Sequence, residues 1–457
     1  MIEKDLLEYF KDKKVIILGF GREGKSSYNF LRKNFENIAI EIVDENQNLI
    51  EENRFLKEDK NLEFNLSSDY FRDIDSYDVV LKTPGISLKD YDITQFRNKI
   101  KSQLELLFEF IPCYKIGITG TKGKSTTSTL IYNMLIDQGK DALLLGNIGE
   151  PYFNYFDKMS EDTILVLELS SHALEFVNHS PNIAILLDIY PEHLDHHNNV
   201  QEYIDAKFNI AKFQENGDIF IYNALNEIMQ KQNFNYKESD YAVFGRVDSK
   251  DIVEGTNSKR VYIKDNRIII DNIDCGTSEM DRTLKGEHNL NNILFALTVC
   301  KILNLDFNKA YETIANFKTL SHRLELVGTY DGITYYDDSI STIPEAAINA
   351  VLALDNVNTI LLGGMDRGID LKKLYDFLKT SNVENIICMY KTGEYIYNEL
   401  KNYKKCYLVN DLAEAVAKAK EVTRKDTICL LSPSSASYGY FKNFEERGDK
   451  FKELVKM

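Results

Sequence analysis

The chain has 457 residues, of which 44% are hydrophobic and 28% are charged. This length exceeds what one ordinary core holds, so about three domains are expected. A formal net charge of -16 argues against nucleic acid and anionic membranes as partners, because both would repel the chain on average. The six cysteines form no CxxC pair, and no run reaches the roughly 18 apolar residues of a membrane span. We therefore expect a cytoplasmic protein.

Strands and helices alternate from Lys13 onward. The segment KKVIILGF reads as a strand that runs into a glycine turn and an amphipathic helix, and two further strands, IAIEIVDE and DVVLKTPG, follow. A βαβ alternation of this kind predicts a parallel sheet. The first α/β domain is predicted over residues 1–112.

A second α/β unit starts at Tyr114. The strand KIGITG leads into a glycine-rich turn and a helix, and the apolar strands DALLLGN, TILVLELSS and IAILLDI follow. Between about Tyr241 and Thr283, short polar-alternating segments predict antiparallel strands that cover one edge of the sheet. The helix HNLNNILFALTVCKIL comes next. The second domain is predicted over residues 113–319.

The pattern of strands and helices in residues 320–457 predicts a third α/β unit. Asp331 and Gly332 stand between two alternating segments, which is the pattern of a β-hairpin. The strands NTILLGG, IICMYK, CYLVND and TICLLS then alternate with helical stretches. Polar residues, among them Arg323 and the segment SPSSASYGYFKNFEERG, stand where ligands bind in open α/β sheets.

The strongest local motif is a glycine-rich loop between a strand and a helix. Backbone N–H groups and the helix dipole at such a position bind phosphate oxygens. Lys124 would neutralise phosphate charge, and Ser125 would ligate magnesium. The spacing is a variant of the common phosphate loop, since Ile118 stands where a glycine is usual, and a simple chain-reversing turn is the alternative. The loop consists of Gly120, Thr121, Lys122, Gly123, Lys124, Ser125 and Thr126.

A second glycine turn, Gly19 to Gly24, follows the first strand, and Asp44 stands at the end of the next. This arrangement resembles a dinucleotide site and by itself would indicate a nicotinamide enzyme. Such turns also allow a helix to pack closely on a strand, so the motif alone is weak evidence. A second nucleotide-type unit in the same chain makes a nicotinamide oxidoreductase the less simple explanation. We interpret the turn as a diphosphate site for a nucleotide-linked substrate.

Three side chains near the second unit are candidates for metal or proton chemistry. Glu168 ends a strand beyond the phosphate loop, where a carboxylate reaches a metal on the γ-phosphate, although a structural ion pair is the alternative. His193 follows another buried strand and could equally be a hydrogen-bonded structural histidine. Lys207 lies in a helix among apolar residues and could be a surface lysine.

Taken in order, many motifs resemble the Mur ligase family over nearly the whole chain. They are GxTGTKGKST, LELSS, PEHLDHH, EYIDAKF, GEHNLNN, HRLE, the DDS turn, LLGGMDRG and SPSSASYGYFKNFEERG. The last is most similar to the members that add glutamate. The resemblance implies an α/β protein with three domains: a Rossmann-like UDP-binding domain, a central P-loop ATPase domain with a mostly parallel sheet, and a Rossmann-like C-terminal domain that closes to bring in the amino acid.

The resemblance also implies roles for individual residues. Lys124, His193 and Lys207 would be catalytic, with Ser125, Glu168, His193 and a carbamylated Lys207 around Mg²⁺. The adenine nucleotide would be held by Asn289, Arg323 and Asp338 in addition to the phosphate loop. The UDP-sugar would be held by Gly21, Arg22, Asp44, Thr83 and Asn147, and the amino acid by Thr342, Arg367, Ser437 and Phe444.

Two positions depart from the family pattern. Ile340 stands where the family has a lysine after the hairpin, and Arg367 replaces a second lysine after the Gly363-Gly364 turn. A buried carboxylate needs a compensating charge, so these changes alter how the side chain of glutamate is held. We expect D-glutamate, with L-glutamate or another acidic amino acid as the open alternative.

The implied reaction is the ATP-dependent ligation of glutamate to UDP-N-acetylmuramoyl-L-alanine in peptidoglycan synthesis. ATP would convert the alanyl carboxylate to an acyl phosphate, which the amine then attacks. We expect a monomer with ATP and Mg²⁺ as cofactors. Two other hypotheses remain at this point: a nucleotide-switched binding protein and a nicotinamide oxidoreductase built on the first glycine turn.

Overall fold

The computed structural model describes residues 2–70, 74–146, 151–190, 199–232, 234–247, 257–317, 321–354 and 356–457. Its strands form sheets of five, nine and six strands, in agreement with the predicted α/β class. The chain divides into two compact units, Met1–Met280 with Asn291–Ile314, and Asp281–Leu290 with Ala315–Met457. Among the described helices, none combines the length and the apolar character needed to cross a membrane.

The first sheet is parallel throughout and has the order β3-β2-β1-β4-β5. All residues of β1, β2 and β4 are buried, which explains their runs of valine and isoleucine. The strands are β1 Val15–Leu18, β2 Ile40–Val43, β3 Leu62–Asn65, β4 Val79–Lys82 and β5 Ile100–Lys101. The helices are α1 Lys4–Phe10, α2 Arg22–Asn34, α3 Leu49–Glu52 and α4 Gln103–Phe110.

The second sheet has the order β14-β13-β12-β11-β10-β9-β6-β8-β7. Its strands are β6 Tyr114–Thr119, β7 Ala142–Gly146, β8 Ile164–Glu168, β9 Ile183–Leu186, β10 Ile219–Asn223, β11 Tyr241–Arg246, β12 Lys259–Lys264, β13 Arg267–Ile270 and β14 Ile273–Thr277. Its helices are α5 Lys124–Asp137, α6 Ser171–Leu174, α7 Val200–Lys212, α8 Glu227–Lys231, α9 Glu287–Ile302 and α10 Phe307–Ala315. Helix α9 runs from the second compact unit into the first.

The prediction of antiparallel edge strands after Tyr241 is confirmed only in part. β12, β13 and β14 pair antiparallel at the edge. β11 instead pairs parallel with both β10 and β12, so the prediction is wrong for this strand. The reason is its position inside the sheet: helix α8 carries the chain back between β10 and β11, and five of the six residues of β11 are buried.

One hydrophobic core joins the first two sheets. It includes Val15 and Ile17 from the first and Leu165 and Phe220 from the second. These two α/β units were predicted as separate domains, yet the shared core makes them one compact unit. The boundary after residue 112 therefore remains a prediction, and the boundary after 319 lies outside the described residues.

A buried carboxylate strengthens this junction. Glu105 of α4 is fully buried and accepts hydrogen bonds from the backbone N–H of Asn178 at 2.9 Å and from the Asn178 side-chain amide at 3.3 Å. Nδ1 of His179 lies 3.2 Å away, and Lys101 forms an ion pair at 3.4 Å. A buried charge is stable only with such partners, so α4 is tied to the segment that follows α6.

The third sheet forms the core of the second compact unit and has the order β15-β16-β20-β17-β18-β19. Its strands are β15 Glu325–Tyr330, β16 Ile333–Asp337, β17 Val357–Leu362, β18 Asn385–Met389, β19 Lys405–Val409 and β20 Thr427–Leu431. Its helices are α11 Pro344–Ala353, α12 Lys372–Thr380, α13 Tyr390–Leu400, α14 Leu412–Val422 and α15 Phe444–Lys456. Helices α11, α12 and α13 pack on one face, and α14 and α15 pack on the other.

The predicted hairpin is confirmed, because Asp331 and Gly332 both have positive φ and join the antiparallel strands β15 and β16. The last strand, β20, enters between β16 and β17. The chain therefore reverses its direction across the sheet at β20. Ligands of open α/β sheets bind at such a reversal, beside the carboxyl ends of the strands.

Replacing Glu105 with alanine is expected to lower the free energy of unfolding by about 2–3 kcal/mol, because buried donors lose their acceptor. Urea denaturation would measure the change. Glu109→Ala is the matched control, since Glu109 pairs with the same Lys101 but is more exposed, and it should cost less than about 1 kcal/mol. Equal losses in the two variants would contradict the role given to burial.

Candidate active site

The phosphate loop connects the buried strand β6 to helix α5. Gly123 caps the helix with a φ of 85°, and a Cβ atom there would lie 2.5 Å from the side-chain oxygen of Asn292. Glycine is therefore required at this position. The backbone N–H groups of the first helical turn have no intrahelical acceptor, which is the arrangement that binds phosphate oxygens.

Thr121 anchors the phosphate loop through several hydrogen bonds. Its backbone N–H donates to the carbonyl of Asp188 at 2.6 Å, and its hydroxyl lies 2.7 Å from the hydroxyl of Tyr203. The same hydroxyl accepts a hydrogen bond from the backbone N–H of Tyr190 at 2.9 Å. These contacts hold the loop against helix α7 and the segment that follows β9.

Two lysine amines meet at one carbonyl oxygen of the loop. Nζ of Lys124 donates to the carbonyl of Gly120 at 2.9 Å and to that of Thr121 at 3.1 Å. Nζ of Lys207 donates to the same Gly120 oxygen at 3.0 Å, and its side chain is almost fully buried. Two ammonium groups that share one oxygen repel each other.

Oxygen donors for a magnesium ion lie at the same edge of the sheet. Glu168 is the last residue of β8 and is 2% exposed. Its strand pairs with β6 so that Glu168 stands opposite Ile118, just before the phosphate loop. Ser125 lies in the first turn of α5. A buried carboxylate and a hydroxyl fit the preference of Mg²⁺ for oxygen ligands. His193, the third predicted ligand, lies outside the described residues.

A cleft of about 430 Å³ opens between the first two sheets. Four of the residues predicted to bind the UDP-sugar line it, namely Gly21, Arg22, Asp44 and Thr83, and the fifth, Asn147, lies outside the described residues. Asp44 accepts the backbone N–H of Phe20 at 2.7 Å, so its carboxylate orders the glycine turn. Glu168 also lines this cleft.

Sequence reasoning missed several residues of the cleft, and Glu23 is the most unusual of them. It lies in the first turn of α2 and lines the cleft. Burial raises its pKa to about 7, although a hydrogen bond involving Gln103 and the charge of Lys82 act in the opposite direction. A carboxyl group beside Arg22 in a glycine turn was the available signal, but its burial depends on how the chain folds around the cleft.

In the second compact unit, the structure brings Arg323 and Asp338 together. Asp338 is buried, and burial raises its pKa to about 6 against the opposing effects of its hydrogen bonds and of the Arg323 charge. Its carboxylate accepts hydrogen bonds from the hydroxyl of Ser341 and, at 2.8 Å, from that of Ser432. Burial and the same Arg323 charge lower the pKa of His288, the residue before Asn289.

An unpredicted arginine holds the loops at the carboxyl edge of the third sheet. Arg447 of α15 is fully buried, and burial lowers its pKa to about 10. It donates to the Ser339 hydroxyl at 3.0 Å, to the Ser339 carbonyl at 2.7 Å and to the Ser435 carbonyl at 3.0 Å. Arg447 thus connects the loops that follow β16 and β20. Its role could not be read from the sequence, because a charged residue in a polar helix is ordinarily exposed.

The residues predicted to hold the amino acid surround the same edge. Ser437 is buried in the loop after β20, Phe444 starts α15, and Thr342 follows β16. Arg367 lies in the loop after β17 and is exposed. Ile340, which replaces the expected lysine, is half-buried and donates its backbone N–H to the carbonyl of His322 at 3.1 Å.

Comparison with known proteins gives two family matches. Residues 118–300 match the Mur ligase middle domain, and residues 322–435 match the Mur ligase glutamate ligase domain. Among curated relatives, the UDP-N-acetylmuramoylalanine--D-glutamate ligase of Clostridium kluyveri is 32% identical and aligns over 99% of this chain and 98% of its own. The enzyme of the same name from Clostridioides difficile is also 32% identical, over 97% and 98%.

Solved structures show the same fold. UDP-N-acetylmuramate-alanine ligase MurC from Thermotoga maritima aligns with a TM-score of 0.58 at 18% identity and covers 97% of this chain and 99% of its own. MurF from Acinetobacter baumannii aligns with a TM-score of 0.60 at 14% identity, over 98% and 92%. MurF from Thermotoga maritima in complex with ADP aligns with a TM-score of 0.56 at 15% identity, over 99% and 98%.

Replacing Glu23 with glutamine is expected to stabilise the protein in a pH-dependent way. The folded-state pKa of about 7 lies above the ordinary value of 4.5, so the folded state loses stability as the pH rises through this interval. The glutamine variant should gain about 1–3 kcal/mol over the wild type at about pH 8 and nothing near pH 4. Urea denaturation at both pH values measures the difference, and an equal effect at the two would contradict the assignment.

Proposed function

This chain belongs to the Mur ligase family, and from that premise we propose that it joins D-glutamate to UDP-N-acetylmuramoyl-L-alanine, with conversion of ATP to ADP and phosphate. The observation that carries the proposal is the position of Glu168. This residue lines the cleft of the glycine turn and also ends the strand beside the phosphate loop. An acid bound in the cleft would therefore lie next to the terminal phosphate of ATP. We propose that the protein acts in peptidoglycan synthesis in the cytoplasm, where ATP and the UDP-linked substrate are both available.

Residues of the first compact unit would activate the carboxylate. A carboxylate is a poor electrophile at neutral pH, so its oxygen first attacks the γ-phosphorus of ATP, and ADP leaves. The amine of glutamate then attacks the acyl phosphate, a tetrahedral intermediate forms, and phosphate leaves as the amide is completed. Lys124 would stabilise the charge on the transferred phosphoryl group, together with the N–H groups of the loop. Gly120, Thr121, Lys122, Gly123 and Thr126 complete this proposed phosphate site.

Magnesium would be held by Ser125 and Glu168, with His193 and a carbamylated Lys207 as further proposed ligands. When bound, the ion would neutralise charge on the phosphate oxygens. The carbamate on Lys207 would turn one of the two clustered cations into an anion. This change would remove the repulsion between the amines of Lys207 and Lys124.

The remaining proposed roles fall to residues of the second compact unit. Asn289, Arg323 and Asp338 are proposed to hold the adenine nucleotide, and Thr342, Arg367, Ser437 and Phe444 are proposed to hold glutamate. The rigid connection through Arg447 supports this proposal, because it fixes two of the loops concerned. L-Glutamate or another acidic amino acid is the second candidate substrate, favoured by the changes at Ile340 and Arg367.

The test is phosphate release with ATP, Mg²⁺ and UDP-N-acetylmuramoyl-L-alanine, run separately with D- and L-glutamate. Release that depends on D-glutamate, with formation of the amide product, is expected. Phosphate release with L-glutamate but not with D-glutamate would show that L-glutamate is the substrate instead. Lys124→Ala should reduce the rate at least about 1,000-fold with an unchanged unfolding midpoint, because transition-state charge loses its partner.

The surface variant Lys140→Ala is the control for Lys124→Ala and should keep the wild-type rate. ATP hydrolysis without amide formation would instead favour a nucleotide-switched binding protein. A nicotinamide-dependent absorbance change without phosphate release would favour the oxidoreductase. Either result would overturn the ligase proposal.

Lys207→Ala is expected to lose activity that added short carboxylates partly restore, because an acid such as acetate can replace the missing carbamate. Rates measured with rising concentrations of acetate and of chloride would separate rescue from a salt effect. Lys212→Ala, an exposed position of the same helix, should be active without additions. Full activity of Lys207→Ala in the absence of acetate would count against the proposed modification.

A further inference from the structure

Ser434 has an unusual backbone conformation. It lies in the loop that follows β20, and its φ of 55° falls in the left-handed region. A serine in this region is strained relative to glycine. Strain of this kind persists where surrounding contacts enforce it, and it is concentrated at ligand sites.

The side chain of Ser434 is also exceptional. The residue is 1% exposed, and its hydroxyl has no hydrogen-bond partner among the described residues. The neighbouring serines of the loop are satisfied: Ser432 donates to Asp338 at 2.8 Å, and the hydroxyl of Ser435 lies 2.7 Å from that of Thr392. Buried hydroxyl groups are nearly always hydrogen-bonded, so the exception calls for a missing partner.

The loop around Ser434 is fixed from both sides. The backbone N–H of Gly363 donates to the carbonyl of Pro433 at 2.9 Å, and that of Met365 donates to the carbonyl of Ala436 at 2.8 Å. Arg447 holds the next residue, Ser435, through its carbonyl. At Gly363, a Cβ atom would lie 1.9 Å from the carbonyl oxygen of Met389, so this close approach of the loops requires glycine. These contacts hold Ser434 in its left-handed conformation in this structure.

The position of the loop identifies the kind of ligand. β20 lies between β16 and β17 at the point where the chain reverses across the sheet, and Ser434 stands just beyond its carboxyl end. The same loop carries Ser437, and the loop bonded to it through Gly363 and Met365 carries Arg367. Both residues are proposed to contact the amino acid, whose carboxylates accept hydrogen bonds from hydroxyl groups.

We propose that Ser434 is a specificity-determining residue whose hydroxyl donates a hydrogen bond to a carboxylate oxygen of the incoming amino acid. This inference rests on the proposed ligase function and adds a contact to it. The anionic oxygen could also come from a phosphate of ATP, and separate Michaelis constants for the two substrates distinguish the sources.

Two variants separate the hydroxyl from the strain. Ser434→Gly removes the hydroxyl and relieves the strain, whereas Ser434→Ala removes the hydroxyl and keeps the strain. Both should raise the KM for glutamate about 10- to 100-fold, since a hydrogen bond to a charged group is lost, and should change the KM for ATP less than about twofold. Both variants should raise the unfolding midpoint in urea, because each removes a buried hydroxyl that has no partner among the described residues, and Ser434→Gly should raise it further because it also relieves the strain.

Asp426→Gly is the matched control, because Asp426 has a φ of 60° just before the amino end of the same strand, away from the proposed site. It relieves comparable strain and should leave both KM values unchanged. Wild-type KM for glutamate in both Ser434 variants would overturn the inference and would mean that a buried water alone satisfies the hydroxyl. A rise in the KM for ATP instead would also overturn it. The wild-type assay is the separate test of the ligase itself, because inertness toward both glutamate enantiomers would refute that function.

Discussion

The structure of the candidate active site depends on one carbonyl oxygen, that of Gly120. Two lysine amines from different helices, those of Lys124 and Lys207, donate to it. Both amines have further partners, since Lys124 also donates to the carbonyl of Thr121 and Lys207 also lies over the ring of Tyr203. Under the proposed function, the phosphates of a nucleotide would lie over the loop, and a carbamate would add negative charge to the buried amine of Lys207. The carboxylate of Glu168 at the neighbouring strand end belongs to the same electrostatic arrangement.

Rigid connections supply the geometry that this chemistry needs. In the first unit, a shared hydrophobic core and the buried Glu105 join the sheet of the glycine turn to the sheet of the phosphate loop. In the second unit, Arg447 fixes the loops after β16 and β20. Both connections use a buried charge whose partners are mostly backbone groups or short polar side chains. Each therefore specifies one arrangement of the chain segments that it links.

Much of the fold could be predicted because its signals are local. Apolar runs indicated most of the parallel strands, the Asp331-Gly332 pair predicted a hairpin, and the loop before Lys124 predicted a phosphate site. Short strands such as β5 were missed, since two residues carry no recognisable pattern. β11 was assigned to an antiparallel edge because its neighbours in the sheet come from the order of connections and not from its own sequence.

The residues that were missed at the site share a physical reason. The pKa of Glu23 is raised by burial in the cleft, Arg447 is buried by loops distant in the sequence, and Ser434 is strained by contacts on both sides of its loop. None of these properties belongs to a residue type or a spacing. By contrast, the glycine turn and the resemblance to the Mur ligase family were enough to predict four residues that the structure brings to the same cleft. They are Gly21, Arg22, Asp44 and Thr83.

The shared core around this cleft has a kinetic consequence. Because the walls of the cleft share one hydrophobic core within one compact unit, a ligand does not have to bring them together. For the nucleotide-linked ligand that we propose, the rate of association would then be limited by diffusion and by the orientation of the encounter. Differences in affinity among ligands of the cleft would consequently arise from differences in their dissociation rates.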